Sequence, residues 1–331
     1  MGHRGARTPR QHARFTGKLT APSPVAELSH RIAATIIIFR PERDQLLRLV
    51  GAIAADVERI FLFLNSMPPD GLIADCVAAA GSTPVETLGA GVNMGCAHVY
   101  NVTADAARDR GCELLLQFDE DSDPPPGLPR RLMEAFDQAG GSAGRVAVIG
   151  PRPVSLETGA PYKVPVAGRG MARLPALREV HFLFSSGSLI DLDALAAIGP
   201  FREDFFTDGN EIEWCFRARA RGFRCVMVFS ELMPHPLGLG QIRVPLLGIR
   251  LAKQPPVRLF TYARNQVAMM WLPHVPVWWK ARAAALIALR LLLGLRRGFR
   301  GPEASAILRG IRSGLRGELG RPVTAPGWRA E

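Results

Sequence analysis

Along the chain, short apolar runs alternate with stretches of helical periodicity. Residues 32–39 (IAATIIIF) form the first run, closed by Arg31 on one side and Arg40-Pro41 on the other. So short and so apolar a run predicts a strand buried on both faces. Leu46, Leu47, Val50, Ile53, Ala54 and Val57 then recur at helical spacing, predicting an amphipathic helix over 42–58. Strands are predicted over 60–64 and 84–88, and helices over 73–80 and 97–110. Asn65-Ser66 with Pro68-Pro69 closes the second strand, and Gly89-Ala90-Gly91 breaks the chain before the third helix. A fourth strand, 113–118, runs straight into acidic residues. Downstream, the pattern predicts a helix over 129–139, a strand over 145–149 and a Pro- and Gly-containing loop region over 151–178. A strand over 181–190, a short helix over 191–198, a helix over 212–221 capped by Gly222 and a strand over 225–229 follow. There is no internal repeat. Strands alternating with helices predict an α/β domain with a mainly parallel sheet flanked by helices.

Composition leaves that picture intact. The chain has 331 residues, 47% hydrophobic and 21% charged, which suits one large domain, or one domain plus a helical appendage. Cys76, Cys96, Cys112, Cys215 and Cys225 are odd in number and contain no C-x-x-C pair. That argues against a disulfide framework or a structural zinc site and fits a reducing compartment. Charge does change the picture. Residues 1–31 hold six Lys/Arg against one Glu, and residues 280–331 hold eleven against three, so the net +11 resides at the two ends. Basic ends attract polyanions, either nucleic acid or an anionic membrane. Residues 1–31 lack the apolar core of a secretory signal and are expected to be a disordered basic tail. No uninterrupted apolar run is long enough to span a membrane.

The segment ELLLQFDEDSDPPP (113–126) carries the strongest chemistry. A buried strand delivers Asp119, Glu120, Asp121 and Asp123, and alternation puts Asp119 and Asp121 on one side. Ligands of parallel sheets bind beyond the carboxyl ends of strands. Carboxylates this close repel unless a cation or a proton separates them, and a divalent cation with oxygen ligands is the natural partner. Such a cation can neutralise a diphosphate leaving group. The bland alternative is a solvated acidic turn. FFTDGNEIEWCFRARARGF (205–223) offers Asp208, Glu211 and Glu213 near a helix start, where acids are favoured by the helix dipole alone. One of them could instead be a general base toward an acceptor hydroxyl. Glu211 and Glu213 point in different directions, so only one is expected to face a cleft. GAGVNMGCAHVYN (89–101) lets the backbone approach a ligand ahead of a helix. His235 follows a predicted strand and could complete a carboxylate metal site.

Taken together, VNMGCAHVYN, LLLQFDEDSDPPP, FSSGSLI, IGPFREDFFTDGNEIEWCFRA, MPHPLG and YARN resemble, in order and spacing, the family 2 glycosyltransferases of GT-A fold. Within them the likeness is to the bacterial rhamnosyltransferase-like branch, over residues 32–265. The resemblance implies a Rossmann-like GT-A domain and inverting transfer from a nucleotide sugar, dTDP-L-rhamnose first. Asp121 would bind Mg²⁺ or Mn²⁺, with Asp119 at the metal or ribose and His235 as a further metal ligand. Glu211 would be the base, Asn93 and Gly95 would cradle the donor, Asn65 would help hold the nucleotide, and Arg264 would contact the diphosphate. Three departures stand out. Glu211 replaces the family's usual Asp, which leaves Asp208 as an alternative base. The first strand ends Ile38-Phe39-Arg40-Pro41 instead of a Thr-Tyr-Asn-Pro-like run, and the second ends Leu64-Asn65 instead of Asp-Asn. These leave two alternatives open, another donor such as a UDP-hexose or UDP-galactofuranose, and a non-catalytic membrane-bound scaffold.

Residues 277–300 (VWWKARAAALIALRLLLGLRRGFR) interleave apolar and aromatic residues with Lys280, Arg282, Arg290, Arg296 and Arg297. That pattern fits either an interfacial helix on an anionic leaflet or a helix packed on the domain. Residues 266–331 are accordingly expected to form a basic helical C-terminal region. No nucleic-acid-reading motif is present and the middle of the chain is not basic, so nucleic acid is not an expected partner. The expected setting is cytoplasmic, peripheral at the inner face of the plasma membrane, with a saccharide or lipid-linked saccharide acceptor. Self-association stays open.

Overall fold

The computed structural model describes residues 29–156, 158–168, 174, 176–235, 241–244, 249–295, 301–323 and 325. Residues 1–28 of the expected basic tail lie outside them. The last residues of that tail are pinned: His30 bonds Glu113 at 2.8 Å and Asp137 at 2.9 Å, and Arg31 pairs with Glu58.

The N-terminal half alternates β1 (Ile32–Ile38), α1 (Arg43–Ile53), β2 (Arg59–Leu64), α2 (Leu72–Ala80), β3 (Val85–Leu88), α3 (Cys96–Asp109) and β4 (Leu114–Asp119). These strands pair in parallel in the order β3-β2-β1-β4. Next come α4 (Leu128–Gln138), β5 (Val146–Ser155), β6 (Leu177–Glu179), β7 (Ser188–Asp191), α5 (Leu192–Ile198), α6 (Asn210–Ala220) and β8 (Arg224–His235). β7 inserts antiparallel between β4 and β5, β8 runs parallel to β5, and β6 closes the edge antiparallel. The result is one eight-stranded, mostly parallel sheet with helices on both faces.

Every residue of β1 is buried, as its unbroken apolar run requires. Alternation sends Ala33 and Ile37 to one core with Phe61, Phe63 and Leu115. It sends Ile32, Ala34, Ile36 and Ile38 to the other, with Leu62, Leu116 and the apolar stripes of α1, α2 and α4. Register sets the functional edge. Ile37 lies opposite Asp119, and Ile38 opposite Leu64, so the carboxyl ends of β1, β2 and β4 finish together.

Some predicted elements differ in extent. The helix predicted over 42–58 ends at Ile53, and a 3-10 turn over Ala54–Asp56 leads into β2. Of the strand predicted over 181–190 only its last residues pair, from Ser188. Phe182 instead packs edge-on against Phe184, Phe216 and Trp279, which draws this stretch off the sheet. β5 and β8 run beyond their predicted ends, past Pro151 and Ser230, because their pairing shifts register between Pro151 and Arg152 and then resumes. A register shift accommodates a proline that cannot donate to the ladder.

The C-terminal part contains a hairpin of β9 (Gln241–Val244) and β10 (Ile249–Ala252), then α7 (Pro256–Met269), α8 (Val277–Leu295) and α9 (Pro302–Leu315). The expected boundary between residues 265 and 266 therefore falls inside α7. α9 lies against α7 so closely that a Cβ at Gly310 would sit 2.4 Å from the Phe260 carbonyl oxygen, and one at Gly314 2.6 Å from that of Arg264. α8 packs on the domain through Trp279, which is 5% exposed and donates from Nε1 to Gln266 at 2.9 Å. Residues 296–300 of the predicted interfacial helix lie outside the described residues. Among the described residues, no helix is long and apolar enough to cross a membrane.

Candidate active site

At the carboxyl edge of the sheet lies a cavity of about 750 Å³. It is lined by residues just beyond three strands: Phe39 and Arg40 after β1, Asn65 after β2, and Asp119, Glu120 and Asp121 at the end of β4. Asn93 and Gly95 join from the turn before α3, Asp208, Asn210 and Glu211 from the start of α6, His235 from the end of β8, and Arg258, Thr261 and Tyr262 from α7. Of the residues picked out in the sequence, Asn65, Asn93, Gly95, Asp119, Glu120, Asp121, Asp208, Glu211 and His235 thus meet in one cavity, while Asp123, Glu213 and Arg264 do not line it.

Of these, Arg264 is the one expected to contact the diphosphate. It is 1% exposed and does not line the cavity. Its Nε donates to Asn265, and its Nη1 and Nη2 donate to the carbonyls of Gly320 and Phe205 at 2.7 and 3.1 Å. With its guanidinium committed to those groups, it has no path to a diphosphate. The arginine of α7 that does reach the cavity is Arg258. Six helix positions separate the two, which puts them on different faces. Arg258, Thr261 and Tyr262 stand at i, i+3 and i+4 and share the cavity-facing side. That helical spacing is the signal through which the sequence could have yielded Arg258.

The acids divide by environment. Asp208 accepts from Arg258 Nε at 3.0 Å and from Thr261 Oγ1 at 2.6 Å, so its carboxylate is engaged in an ion pair. Asp208 in turn holds the Arg258 guanidinium well above its ordinary pKa. Glu211 lines the same cavity without such a clamp. Burial, with help from Asp208 and Asp119, pushes its carboxyl up to about 7. A carboxylate poised near neutrality is suited to accept a proton from a hydroxyl. Glu213 is 1% exposed and pairs with Arg217 at 3.0 Å and His274 at 2.7 Å, so the expectation that only one of Glu211 and Glu213 faces a cleft holds.

At the end of β4, burial and then the neighbouring Asp121 raise Asp119 to about 6, and burial with Asp119 and Asp121 raises Glu120 to about 8. Burial of adjacent carboxylates, with their mutual repulsion adding to it, disfavours their charge, and a divalent cation would relieve both. His235 stacks on Phe184 with ring centroids 5.6 Å apart, and burial lowers its pKa, keeping the imidazole neutral as a metal ligand must be. Among the described residues no three His, Cys, Asp or Glu side chains converge into a complete cation site. Mg²⁺ commonly takes one or two carboxylates and draws its other ligands from substrate phosphates and water. Asp119 and Asp121 fit that use.

The glycine turn is tied to both sides of the cavity. Asn65 Oδ1 accepts from the Met94 N–H at 2.9 Å, and Asn93 Oδ1 from the Gly95 N–H at 3.1 Å. Gly95 has φ 82°, and a Cβ there would lie 2.3 Å from the Phe206 carbonyl oxygen. The position is glycine because the loop before α6 presses against it.

No protein-family profile matches the chain. It is 22% identical over 259 residues to the dTDP-rhamnosyl transferase RfbF of Shigella flexneri, covering 76% of this chain and 83% of that one. The structure superposes on that of GalNAc-T7 with UDP, GalNAc and Mn²⁺ at a TM-score of 0.51 and 11% identity, over 78% of this chain and 55% of the other. It superposes on TarS of S. aureus at a TM-score of 0.50 and 12% identity, over 82% of this chain and 44% of the other. The chain thus spans about half the length of these two solved structures. Across such low identities the shared feature is the architecture, and the chain has the GT-A fold of glycosyltransferases.

Proposed function

We propose that the chain is a metal-dependent, inverting glycosyltransferase of family 2 that transfers L-rhamnose from dTDP-L-rhamnose to a hydroxyl of a saccharide or lipid-linked saccharide. The observation that carries this reading is the cavity's division of labour: crowded carboxylates at the end of β4, and the near-neutral Glu211 at the start of α6. The donor preference is supported by the likeness to the rhamnosyl transferase of Shigella flexneri.

In this reading Asn65, Asn93 and the Gly95 turn hold the nucleotide at the ends of β1 and β2. Asp119 and Asp121 would hold Mg²⁺ or Mn²⁺, with His235 at the same edge of the cavity and the remaining ligands drawn from the diphosphate and water, and the ion would supply positive charge to the leaving diphosphate. Arg258 adds a fixed cation, oriented by Asp208. Glu211 takes the acceptor's hydroxyl proton as that oxygen bonds to the anomeric carbon, while the carbon–oxygen bond to the diphosphate breaks and the diphosphate departs with the electron pair. A single displacement inverts the anomeric centre. Asp208, bound to Arg258 and Thr261, orients that cation and does not act as the base.

The acceptor side is bordered by Trp279 and Arg282 of α8. On the same helix Val277 is 80% and Leu292 58% exposed, and Trp271 in the preceding turn is 75% exposed. Aromatic and apolar residues beside Lys280 and Arg282 suit peripheral attachment to an anionic leaflet at the cytoplasmic face, where a lipid-linked acceptor would lie.

The test is turnover of a nucleotide-sugar panel, dTDP-L-rhamnose, UDP-hexoses and UDP-galactofuranose, with Mn²⁺ or Mg²⁺ and lipid-linked acceptors. Preferential, metal-dependent use of dTDP-L-rhamnose is expected. Preferential use of a UDP sugar overturns the donor assignment, and turnover of none overturns the enzymatic reading.

A further inference from the structure

The segment before α6 carries Asp208 and leads directly into Glu211, and its backbone is held in a conformation that chains rarely adopt. Phe206 has φ 62° and ψ −65°. The Thr207 N–H donates to the Phe205 carbonyl at 2.7 Å. Those angles with that bond make a γ-turn of positive φ, the rare and strained form. Asp208 follows with φ 59° and Gly209 with φ 92°. Non-glycine residues in such regions are strained and persist only where their surroundings over-determine them.

The surroundings are side chains of α7. Asn265 is fully buried, and its Nδ2 donates to the carbonyls of Phe205 at 2.9 Å, Thr207 at 2.6 Å and Asp208 at 2.9 Å. The carbonyl between these, that of Phe206, accepts from the Cys96 N–H at 2.8 Å. Arg264 Nε donates to Asn265 Oδ1 at 3.0 Å, which fixes which way round the amide lies. Arg264 also bonds the carbonyls of Phe205 and Gly320, and the Gly320 N–H returns to the Asp204 carbonyl at 2.6 Å. Neither Arg264 nor Asn265 lines the cavity.

We propose that Asn265, oriented by Arg264, is a positioning residue that holds the strained turn at residues 206–209 so that α6 begins with the Glu211 carboxylate in the cavity. The inference rests on Glu211 as the base, and it gives the YARN motif a role away from the diphosphate. Loss of the Nδ2 donors leaves the buried Thr207 and Asp208 carbonyls short of a partner and removes one of the bonds to that of Phe205, and the turn relaxes. A displacement of about 1 Å at a reacting group can lower turnover on the order of 10²-fold.

The test uses Asn265→Asp, nearly isosteric but without the donors, and Arg264→Lys, which keeps the charge but loses the bond to Asn265. Both are compared with wild type for folding, for calorimetric affinity of dTDP with Mn²⁺, for kcat on dTDP-L-rhamnose and for amide hydrogen exchange at Cys96 and Thr207. The expected result is nucleotide affinity within about threefold of wild type, kcat lower by about tenfold or more, and faster exchange at both amides. Unchanged kcat in a folded variant, or lowered kcat with wild-type exchange, overturns the inference. If Asn265→Asp does not fold, Arg264→Lys decides by the same readings. Glu211→Gln is run beside them. If it keeps turnover, the base assignment fails. If it is inactive while Asn265→Asp keeps full kcat, the positioning inference alone fails.

Discussion

Replacing Glu211 by Gln should remove activity and add stability in the same protein. The carboxyl is raised to about 7, chiefly by burial and then by Asp208. In the unfolded chain it titrates near the usual ~4.3 of a glutamate. A group whose pKa is raised by folding stabilises the native state fully below its unfolded pKa, and loses that contribution as pH rises through its folded pKa. Wild type and Glu211→Gln should therefore be equally stable below about pH 4, and the variant should gain between there and about pH 7. A shift of this size corresponds to an upper bound of about 4 kcal/mol at pH 8. At pH 8, where the wild-type carboxylate is ionised, the variant should lose about 10²- to 10⁴-fold in turnover, the ordinary contribution of a general base, and the difference should shrink as pH falls below about 7. Urea unfolding in EDTA from pH 4 to pH 8, beside turnover assays with Mn²⁺, measures both. A variant that keeps turnover within about threefold of wild type refutes the base assignment. A variant less stable than wild type at pH 8 refutes the claim that the native site strains against the ionised carboxylate.

Other outcomes follow from the same geometry. Gly95→Ala should destabilise by about 2 kcal/mol or more, because φ is 82° and the new Cβ would meet the Phe206 carbonyl at 2.3 Å; a lower urea midpoint at unchanged slope checks it. Arg258→Met should weaken binding of dTDP by about 10- to 100-fold in calorimetry, since it removes a charged donor from the cavity and leaves Asp208 with Thr261 alone. Trp271→Ser with Val277→Ser should reduce co-sedimentation with phosphatidylglycerol vesicles and leave turnover of a soluble acceptor unchanged. Equal binding of wild type to phosphatidylcholine vesicles would contradict the anionic preference, and loss of a dimer in sedimentation velocity would assign the patch to self-association.

Much of the sheet was legible because its strands are buried on both faces and carry unbroken apolar runs. β1 and β4 needed little tertiary information, and the register that aligns Ile37 with Asp119 turned an acidic cluster into one wall of a cavity. The aromatic stretch around Phe182 was misread because a β-like composition also suits an aromatic cluster, and only packing against Trp279 and Phe216 separates the two. Sequence left Asp208 and Glu211 as rival bases, since their difference lies in partners on a distant helix, Arg258 and Thr261. The expectation that Arg264 contacts the diphosphate failed for a related reason. A basic residue near a motif reveals its charge, but the direction it faces depends on which side of α7 meets α9 and which meets the cavity. The strain at Phe206 left no trace in composition, because that residue is neither glycine nor asparagine.

Calorimetric titration of dTDP into the protein, with Mn²⁺ and with EDTA, and repeated on Asp121→Ala, tests the central claim most directly. The account predicts Mn²⁺-dependent binding to wild type, weakened by about tenfold or more in Asp121→Ala. Binding that ignores both Mn²⁺ and Asp121, or no binding of any nucleoside diphosphate, would contradict it.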